Sequence, residues 1–337
     1  MNWKERRVFV TGATGFIGSW LVRYLLEQEA YVVVLVRDWD PQSQLIRSGD
    51  IQRTRVVNGP LEDYATLERA INEHETDTVF HLGAQTLVGT ALRSPLPTFE
   101  ANIRGTYNLL EACRVHSAIV QRVVVASSDK AYGEVEHLPY REDTPLQARN
   151  PYDVSKSCPD MIALSYACSY GLPVAITRCG NVYGGGDLNW SQLVPGVIRS
   201  VQANQRPLLR SDGSYTRDYI FVSDVVNAYV LLASKISEKG VQGEAFNFGL
   251  QSRVTVMEMT LAVLRLMGRE DLQPIIRNEA KGEIKDQSLD SSKARRLLGW
   301  APSFKLEDGL KETIRWYREY FGHSETQVAQ LSSAGSL

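Results

Sequence analysis

The sequence has few of the features that mark disulfide scaffolds, metal proteins or membrane proteins. It contains four cysteines, none in a C-x-x-C pair, and the five histidines form no zinc-type spacing with them. We therefore expect reduced, structural thiols and no metal site. No apolar run is long enough to cross a bilayer. The polar first residues show no signal peptide, so we expect a cytoplasmic protein without membrane contact.

Charge of one sign is not in excess either. Lys plus Arg total 37 against 39 for Asp plus Glu, a net charge of -2 over 337 residues. This balance gives no reason to expect nucleic acid as a partner, and any anionic ligand must be held by a local site. The hydrophobic fraction of 43% is enough for a substantial core.

Apolar runs alternate with stretches of helical periodicity through the first half of the chain. The runs predict buried strands at 8–10, 31–36, 78–82 and 122–126, with helices near 17–26, 62–73 and 98–116. Repeated β-α-β units predict a doubly wound parallel Rossmann sheet of the α/β class. A smaller C-terminal α/β domain follows.

The change of pattern along the chain predicts three regions. A dinucleotide-binding Rossmann domain covers residues 1–178, with a return segment at about 224–250. A substrate domain covers 179–223 and 251–323. The polar, small-residue-rich segment 324–337 is expected to be a disordered tail.

A glycine loop joins the first strand to the first helix. Its sequence, Thr11–Gly18, has the spacing G-x-x-G-x-x-G, which allows a tight turn, close approach of a pyrophosphate and close helix–strand packing. The helix N-terminus then offers free N–H groups to phosphates. The alternative is an ordinary glycine turn. The candidate cofactor contacts in this loop are Gly12, Thr14, Gly15, Phe16, Ile17 and Gly18.

The end of the second strand should face the adenosine ribose of such a dinucleotide. Val36 stands where an acid would favour NAD, and Arg37 follows it. An arginine pairs well with a 2′-phosphate, so NADP is favoured. The alternative is NAD, with Arg37 on the surface and Asp38 at the ribose.

Tyr152 and Lys156 have the Y-x-x-x-K spacing, which places both side chains on one helix face. The lysine charge is expected to lower the pKa of the phenol and make Tyr152 a base toward a sugar hydroxyl, which Ser128 could also hold. The alternative is a surface pair on an amphipathic helix. Pro159, inside the same helix, is expected to kink it.

With these motifs, the chain resembles the extended short-chain dehydrogenase/reductase family that acts on nucleotide sugars. Further segments carry the resemblance: H-L-G-A-Q at 81–85, N-I-R-G-T at 102–106, P-Y-D-V-S-K at 151–156, G-N-V-Y-G-G-G-D at 180–187, R-D-Y-I-F-V-S-D at 217–224 and L-G-W at 298–300.

The resemblance implies a role for each matching position. Tyr152 would be the catalytic base and Lys156 would bind the nicotinamide ribose. Asn181 and Arg217 would hold the substrate diphosphate, unless Arg217 serves only a salt bridge. The other implied contacts are Leu61, Leu82, Gly83 and Ala84 along the cofactor and Gln85 at the substrate.

Two residues after Ser128 separate the branches of this family. An Asp-Lys pair, here Asp129 and Lys130, resembles the dehydratase branch, in which CDP-glucose 4,6-dehydratases and some UDP-GlcNAc 4,6-dehydratases carry such a pair. Asp129 would protonate the leaving C6 hydroxyl and Lys130 would take the C5 proton, which requires a raised pKa for the acid and a lowered pKa for the amine. The alternatives are a plain ion pair at a strand end and a 4-epimerase, which needs only Ser128, Tyr152 and Lys156.

The substrate and the assembly follow from the same resemblance. A nucleotide sugar is implied, with CDP-hexose first and GDP- or UDP-hexose next. A homodimer is implied through the helices near 98–116 and 152–170, where Met161, Ile162, Leu164 and Tyr166 form an apolar stripe. The alternative for that stripe is core packing within one chain.

Overall fold

The computed structural model describes residues 1–279 and 283–334, with side chains up to residue 322. The chain divides into two compact units. The sheet unit comprises Met1–Val182, Arg217–Arg253 and Gly282–Pro302, and the small unit comprises Tyr183–Thr216, Val254–Lys281 and Ser303–Leu337, each over its described residues.

The strands and helices follow in chain order. The strands are β1 Arg7–Thr11, β2 Tyr31–Val36, β3 Arg55–Asn58, β4 Thr78–His81, β5 Arg122–Ala126, β6 Val174–Cys179, β7 Asn181–Tyr183, β8 Leu208–Leu209, β9 Thr216–Arg217, β10 Tyr219–Phe221, β11 Ala245–Phe248, β12 Val254–Thr255 and β13 Ile275–Ile276. The α-helices are α1 Phe16–Glu27, α2 Gln44–Arg47, α3 Tyr64–His74, α4 Val88–Arg93, α5 Pro95–Phe99, α6 Gly105–Val115, α7 Pro151–Tyr170, α8 Leu193–Gln202, α9 Val222–Lys235, α10 Val256–Met267 and α11 Leu306–Ala334.

A seven-stranded parallel sheet forms the centre of the sheet unit, in the order β11-β6-β5-β4-β1-β2-β3. The predicted fold class is confirmed. Alternate strand residues enter opposite cores: Val8 and Val10 pack with α1 and α9, whereas Phe9 packs with α3 and α6. Both faces are covered, which is why the strands read as continuous apolar runs.

The strand order fixes where a ligand can bind. The chain runs outward through β1, β2 and β3 and then resumes at β4 on the other side of β1. In an open parallel sheet, the crevice at the carboxyl ends beside such a reversal is the usual ligand site. Three segments therefore converge there: the glycine loop after β1, residues 82–85 after β4 and residues 127–132 after β5.

Several boundaries differ from those expected. The helix predicted at 98–116 is α5, a π-helical turn Glu100–Arg104 and then α6. Helix α7 is assigned without interruption through Pro159. The return segment supplies α9 and then β11, which pairs with β6. Residues 217–223 and 283–302 belong to the sheet unit, although the sequence pattern assigned them to the substrate domain.

The small unit packs α8 against α10 and α10 against α11, and β8 pairs in parallel with β13. Its substrate-binding role stays a prediction. Helix α11 is assigned through Ala334, across much of the segment expected to be a tail. Side chains from residue 323 and all of residues 335–337 lie outside the described residues, so the disordered tail at 324–337 also stays a prediction.

The four cysteines are free thiols. Across residues 1–279 and 283–334, no helix is long and apolar enough to span a membrane. The same described residues contain no cluster of three or more His, Cys, Asp or Glu side chains that could hold a metal ion.

Candidate active site

The glycine loop is built for close approach of a ligand backbone or phosphate. Gly12 has a φ of +72°, and a Cβ there would lie 2.6 Å from the amide nitrogen of Gly83. A Cβ on Gly18 would collide with the carbonyl of Gly12. Helix α1 begins at Phe16 behind the N-cap Gly15, and no side chain caps its first turn. Its first N–H groups therefore suit a pyrophosphate, so the loop fits a dinucleotide.

The second half of the expected cofactor contacts lies beside this loop. Leu61 is buried against the core on the α3 side of the sheet. A Cβ on Gly83 would meet Leu61 Cδ1 at 2.9 Å, and a Cβ on Gly105 would also meet the Leu61 side chain. The strip after β4 is therefore lined by Leu61 on one side and by the glycine loop on the other.

Both candidate contacts to the adenosine ribose, Arg37 and Asp38, are exposed at the end of β2. Val36 is buried, whereas the side chains of Arg37 and Asp38 are exposed and form an ion pair of 2.6 Å. Such a pair in solvent contributes little to stability. Either side chain could therefore leave the ion pair and contact an adenosine ribose at little cost in stability.

A buried hydrogen-bond chain begins at the strip after β4. The Gly83 N–H donates to Thr11 Oγ1 at 3.0 Å, and Thr11 Oγ1 lies 2.8 Å from His81 Nδ1. On the other side, His81 Nε2 lies 2.9 Å from Thr106 Oγ1, whose hydroxyl donates to the carbonyl of Asn102 at 2.5 Å. Burial lowers the pKa of His81 to about 3, so the ring is neutral.

The donors fix the tautomer of His81. Because the Thr106 hydroxyl proton is committed to Asn102, Thr106 must accept from the ring, and Nε2 carries the hydrogen. Nδ1 is then the acceptor of the Thr11 hydroxyl. Every member of the chain has both its donor and its acceptor satisfied, which is the condition for a stabilising buried network.

Asn102 carries this chain on to the helix that bears Tyr152. Its Oδ1 accepts from the Gln85 N–H at 2.7 Å, and its Nδ2 donates to the Gln85 carbonyl at 3.0 Å and to Ser155 Oγ at 2.8 Å. The Ser155 hydroxyl donates to the carbonyl of Tyr152 at 2.7 Å. The network thus joins the glycine loop, the strip after β4 and the first turn of α7.

The polar stretch after β5 forms a tight turn at the same edge of the sheet. Ser128 caps the 3₁₀ turn Asp129–Tyr132 by accepting from the Lys130 N–H at 3.2 Å, and its hydroxyl donates to Asp129 Oδ1 at 3.1 Å. Gln287, which is fully buried, donates through Nε2 to Asp129 Oδ2 at 2.9 Å. The Lys130 amine donates to Gln287 Oε1.

Burial moves the acid and the amine in the directions that acid–base chemistry requires. Burial raises the pKa of Asp129, against the opposing effects of Lys130 and Arg217. Burial and the charge of Arg217 lower the pKa of Lys130. Both expected directions are confirmed. A raised pKa favours the protonated carboxyl and a lowered pKa favours the neutral amine, which are the forms that a general acid and a general base need.

The expected effect of Lys156 on Tyr152 is wrong. Burial raises the pKa of the Tyr152 phenol, and the nearby carboxyls of Asp129 and Asp153 raise it further. The Lys156 amine donates to the carbonyl of Ala126 at 3.2 Å, and burial lowers its pKa to about 8. The phenol therefore favours its protonated form, because burial and the two carboxyls all raise its pKa.

The predicted catalytic residues come together in the sheet unit. Asp129 affects the pKa of Tyr152, so the turn after β5 and the first turn of α7 share one electrostatic environment. Arg217, expected at the diphosphate, is buried and donates to the carbonyl of Lys285 at 2.9 Å, with Glu283 at 3.6 Å. Gln85 folds its side chain back onto Leu87. The N–H of Asn181 donates to the Asp218 carbonyl at 2.7 Å.

Sequence reasoning missed three parts of this site. Gln287 lies more than 150 residues from its partners in a stretch without a motif. Asp153 is buried beside Tyr152, and its pKa is raised by burial although Lys130 opposes the shift. The third is the network through Thr11, His81 and Asn102; its signal was the pair of motifs at 81–85 and 102–106, which indicated a family but no contact.

The comparisons with known proteins agree with this geometry. The family model described as GDP-mannose 4,6 dehydratase matches residues 9–313. CDP-glucose 4,6-dehydratase of Salmonella typhimurium is 31% identical over 94% of this chain and 92% of that protein. Two solved structures each superpose with a TM-score of 0.85. The dTDP-glucose 4,6-dehydratase of Streptomyces venezuelae, solved with NAD, is 31% identical and covers 94% of this chain and 98% of its own. The UDP-glucose 4-epimerase of Thermotoga maritima, solved with UDP-glucose, is 30% identical; the match covers 93% of this chain and 99% of the epimerase chain.

Fold and site together define an extended short-chain dehydrogenase/reductase. Within that class, the chain belongs to the nucleotide-sugar 4,6-dehydratase family. It is an enzyme of a group that includes dehydratases and epimerases, as the two solved relatives illustrate.

Proposed function

We propose that the protein is an NAD(P)-dependent nucleotide-sugar 4,6-dehydratase, which converts an NDP-hexose to an NDP-4-keto-6-deoxyhexose. The observation that carries this proposal is the pair formed by buried Asp129 and half-buried Lys130 beside Ser128, with the pKa of the acid raised and the pKa of the amine lowered. Simple hydride chemistry at C4 has no use for such a pair. Elimination of water needs both members.

The first step is oxidation at C4. Tyr152 takes the proton of the C4 hydroxyl, Ser128 holds that hydroxyl, and Lys156 binds the ribose and stabilises the developing phenolate. When bound, the nicotinamide supplies a hydride acceptor for C4 and later returns the hydride to C6. Because the pKa of the phenol is raised, Tyr152 must lose its proton before it can serve as the base.

The second step is loss of water across C5 and C6. The C4 ketone acidifies the C5 proton, and neutral Lys130 accepts it. Asp129 gives its proton to the C6 hydroxyl, so the C6–O bond breaks and water leaves. Once a bound nicotinamide has supplied the hydride to C6, the Lys130 ammonium would return a proton to C5. Tyr152 ends with one proton more and Asp129 with one fewer, and exchange with solvent restores both.

A mass measurement tests the proposal. The protein is incubated with CDP-, GDP-, UDP- and dTDP-glucose and with GDP-mannose, and the masses of the products are measured by mass spectrometry. A product lighter than its substrate by one water supports the dehydratase. An isomer of unchanged mass would overturn it in favour of the second candidate.

That second candidate is an NDP-sugar 4-epimerase. The likeness to the UDP-glucose 4-epimerase of Thermotoga maritima favours it, with the same TM-score as that of the dehydratase structure. The epimerase reaction requires Ser128, Tyr152 and Lys156 and leaves Asp129 and Lys130 without a task. We prefer the dehydratase because it gives both Asp129 and Lys130 a task.

For the dinucleotide we propose NADP. Arg37, exposed at the end of β2, supports this proposal because a guanidinium can pair with a 2′-phosphate. NAD is the alternative, since the solved Streptomyces venezuelae relative was determined with it. The cofactor released from purified protein by denaturation decides: NADP supports the proposal, and NAD contradicts it.

For the substrate we propose a CDP-hexose first and a GDP- or UDP-hexose next. The likeness to CDP-glucose 4,6-dehydratase supports the first, and the description of the matching family model supports a GDP-sugar. The diphosphate would be held by Arg217 and Asn181. Relative kcat/KM over the same set of nucleotide sugars ranks them, and a preference for a dTDP-sugar would contradict this choice.

We also propose a homodimer through α6 and α7. On these helices Tyr107, Val115, Met161 and Tyr170 are exposed, which supports an interface. Of the stripe seen in the sequence, Ile162, Leu164 and Tyr166 pack partly against the core of their own unit and Met161 faces outward. Sedimentation of wild type and Met161→Glu tests this, and a monomeric wild type would contradict it.

A further inference from the structure

One fully buried amide stands between the two groups that the dehydratase reaction needs. Gln287 reaches the turn after β5 from a segment of the sheet unit remote in sequence, and its side chain is inaccessible to solvent. Its Nε2 donates to Asp129 Oδ2 at 2.9 Å, and its Oε1 accepts from the Lys130 amine. Burying a glutamine is unfavourable unless its polar atoms are paired, and here each end has a partner.

The two ends of the amide cannot be exchanged while Lys130 is an ammonium and Asp129 is a carboxylate. A lysine amine or ammonium donates hydrogen bonds, so the end that faces Lys130 must be the oxygen in the ammonium state. The nitrogen end then faces Asp129 and donates to Oδ2. The partners therefore determine the orientation of the amide.

This orientation also assigns the proton of the acid. Oδ2 receives an N–H from Gln287, so in the protonated acid it is the carbonyl oxygen. The acid proton must then reside on Oδ1, and in that state Oδ1 donates to Ser128 Oγ across 3.1 Å, which reverses the bond that the carboxylate accepts from this hydroxyl. The proton is thus held on the side of the hydroxyl that binds the sugar in the proposed reaction.

We propose that Gln287 is a positioning residue for the acid–base pair: it holds the carboxyl of Asp129 and the amine of Lys130 apart and presents each in its working orientation. This inference rests on the proposed dehydratase function. Gln287 touches neither substrate nor cofactor in this scheme and acts through its two partners. A neutral amide is suited to the task because it pairs with both groups without adding a charge.

The charged groups around Lys130 come from several segments. Asp129 lies in the same turn, Asp153 in α7, Arg217 in β9 and Glu283 in the segment that also carries Gln287. Arg217 opposes the ammonium, whereas the three carboxyls favour it. A carboxylate in place of the Gln287 amide would add a fourth favouring charge at hydrogen-bond distance.

The test compares Gln287→Met, which removes both hydrogen bonds with little change of volume, with Gln287→Glu, which changes the charge and keeps the shape. Gln251→Met, at an exposed glutamine of the same unit, is the control. Folding and cofactor content are checked first by thermal melting and absorbance. Loss of folded protein in both Gln287 variants would make this residue structural and would overturn the inference.

The first readout needs no substrate. Protein labelled with ¹³C at the lysine Cε reports the titration of Lys130, assigned by its loss in Lys130→Met. In the Gln287→Glu variant, Lys130 should titrate at a higher pH than in wild type, because the new carboxylate stabilises the Lys130 ammonium. An unchanged Lys130 titration would overturn the proposal even if the protein had no dehydratase activity.

The second readout is turnover with CDP-glucose or whichever nucleotide sugar the wild type dehydrates. Gln287→Met should lower kcat for water loss about 10²-fold with KM nearly unchanged, as expected for misplaced catalytic groups. Reduced cofactor should still form, because C4 oxidation does not use the pair. A wild type that never loses water counts against the proposed function. If wild type does lose water and Gln287→Met is equally fast, the result contradicts only the positioning role of Gln287.

Discussion

The side chain of Asn102 donates to Ser155 Oγ across 2.8 Å, which joins the π-helical turn at Glu100–Arg104 to the first turn of α7. This is where the strip along the expected cofactor and the helix of the expected base meet. Asn102 is buried and uses both amide ends, so its loss leaves the main chain of Gln85 unpaired as well. A π-helical turn inside a helix often occurs at a functional site.

Replacement of Asn102 by Ala should therefore cost about 1–3 kcal/mol in the free energy of unfolding, since buried polar groups lose their partners. Urea denaturation measures this. Asn72→Ala, at an exposed position of α3, is the matched control and should change stability by less than about 0.5 kcal/mol. Equal small effects in both variants would show that the Asn102 network does not stabilise the fold.

The buried imidazole of His81 predicts a pH dependence of stability. In the folded protein its pKa is lowered to about 3, whereas the unfolded chain has the ordinary value near 6.5. Between these values the unfolded state binds the extra proton, so stability falls as pH falls, by up to about 1.4 kcal/mol per pH unit. Above about 6.5 the effect disappears because neither state is protonated.

The comparison of wild type with His81→Gln isolates this effect. The variant has no titrating group at the position, so the stability advantage of wild type should shrink as the pH is lowered from about 7 toward about 5. Urea denaturation over that range measures it. A wild-type advantage that stays constant, or grows in acid, would mean that His81 is not held neutral.

The glycine loop predicts a strong effect from a single methyl group. A Cβ on Gly18 would meet the carbonyl of Gly12, which is backbone and cannot move away cheaply. Gly18→Ala should therefore lose bound dinucleotide, measured as the ratio of cofactor to protein after purification. Gly89→Ala, exposed in α4 with only an ordinary contact to Arg93, should keep its cofactor. A Gly18→Ala protein with full cofactor content would contradict this account of the loop.

Much of the fold follows from local patterns, but the site follows from them only in part. The β-branched runs predicted the sheet because strands buried on both faces tolerate few polar residues. The loop Thr11–Gly18 and the stretch Ser128–Lys130 were found because their neighbours in sequence are also their neighbours in space. Gln287 has no such neighbours. Its partners are defined only when the segment that carries it folds back onto the turn after β5.

The error at Tyr152 has the same cause. The spacing to Lys156 can be counted in the sequence, but the burial of the phenol and the approach of Asp129 depend on tertiary packing. The sequence indicated only the lysine, whereas burial and the carboxyls of Asp129 and Asp153 set the direction of the shift in the folded protein. Local spacing therefore identified the right residues and gave the wrong direction for the pKa.

The two stages of the proposed reaction predict different defects in two variants. Tyr152→Phe removes the base for C4 oxidation, so no reduced cofactor should form on addition of substrate, although cofactor stays bound. Asp129→Asn removes the acid for water loss. The amide oxygen of the new asparagine can still accept the hydrogen bond from Gln287 Nε2. This variant should form reduced cofactor and then release product about 10²–10⁴ times more slowly than wild type.

Absorbance of the reduced nicotinamide, recorded after rapid mixing, distinguishes the two. Full activity of Tyr152→Phe would remove that residue as the base. If Asp129→Asn turned over at the wild-type rate, Asp129 would have no part as the acid.

The most direct test of the central claim follows the sugar itself in deuterated water. Wild type with its nucleotide sugar should yield a product that has lost one water and carries one deuterium from solvent at C5, because Lys130 removes that proton and later returns one. Lys130→Met should abolish both the loss of water and the deuterium. A wild-type product of unchanged mass in ordinary water, without deuterium at C5 in heavy water, would contradict the account and identify an epimerase.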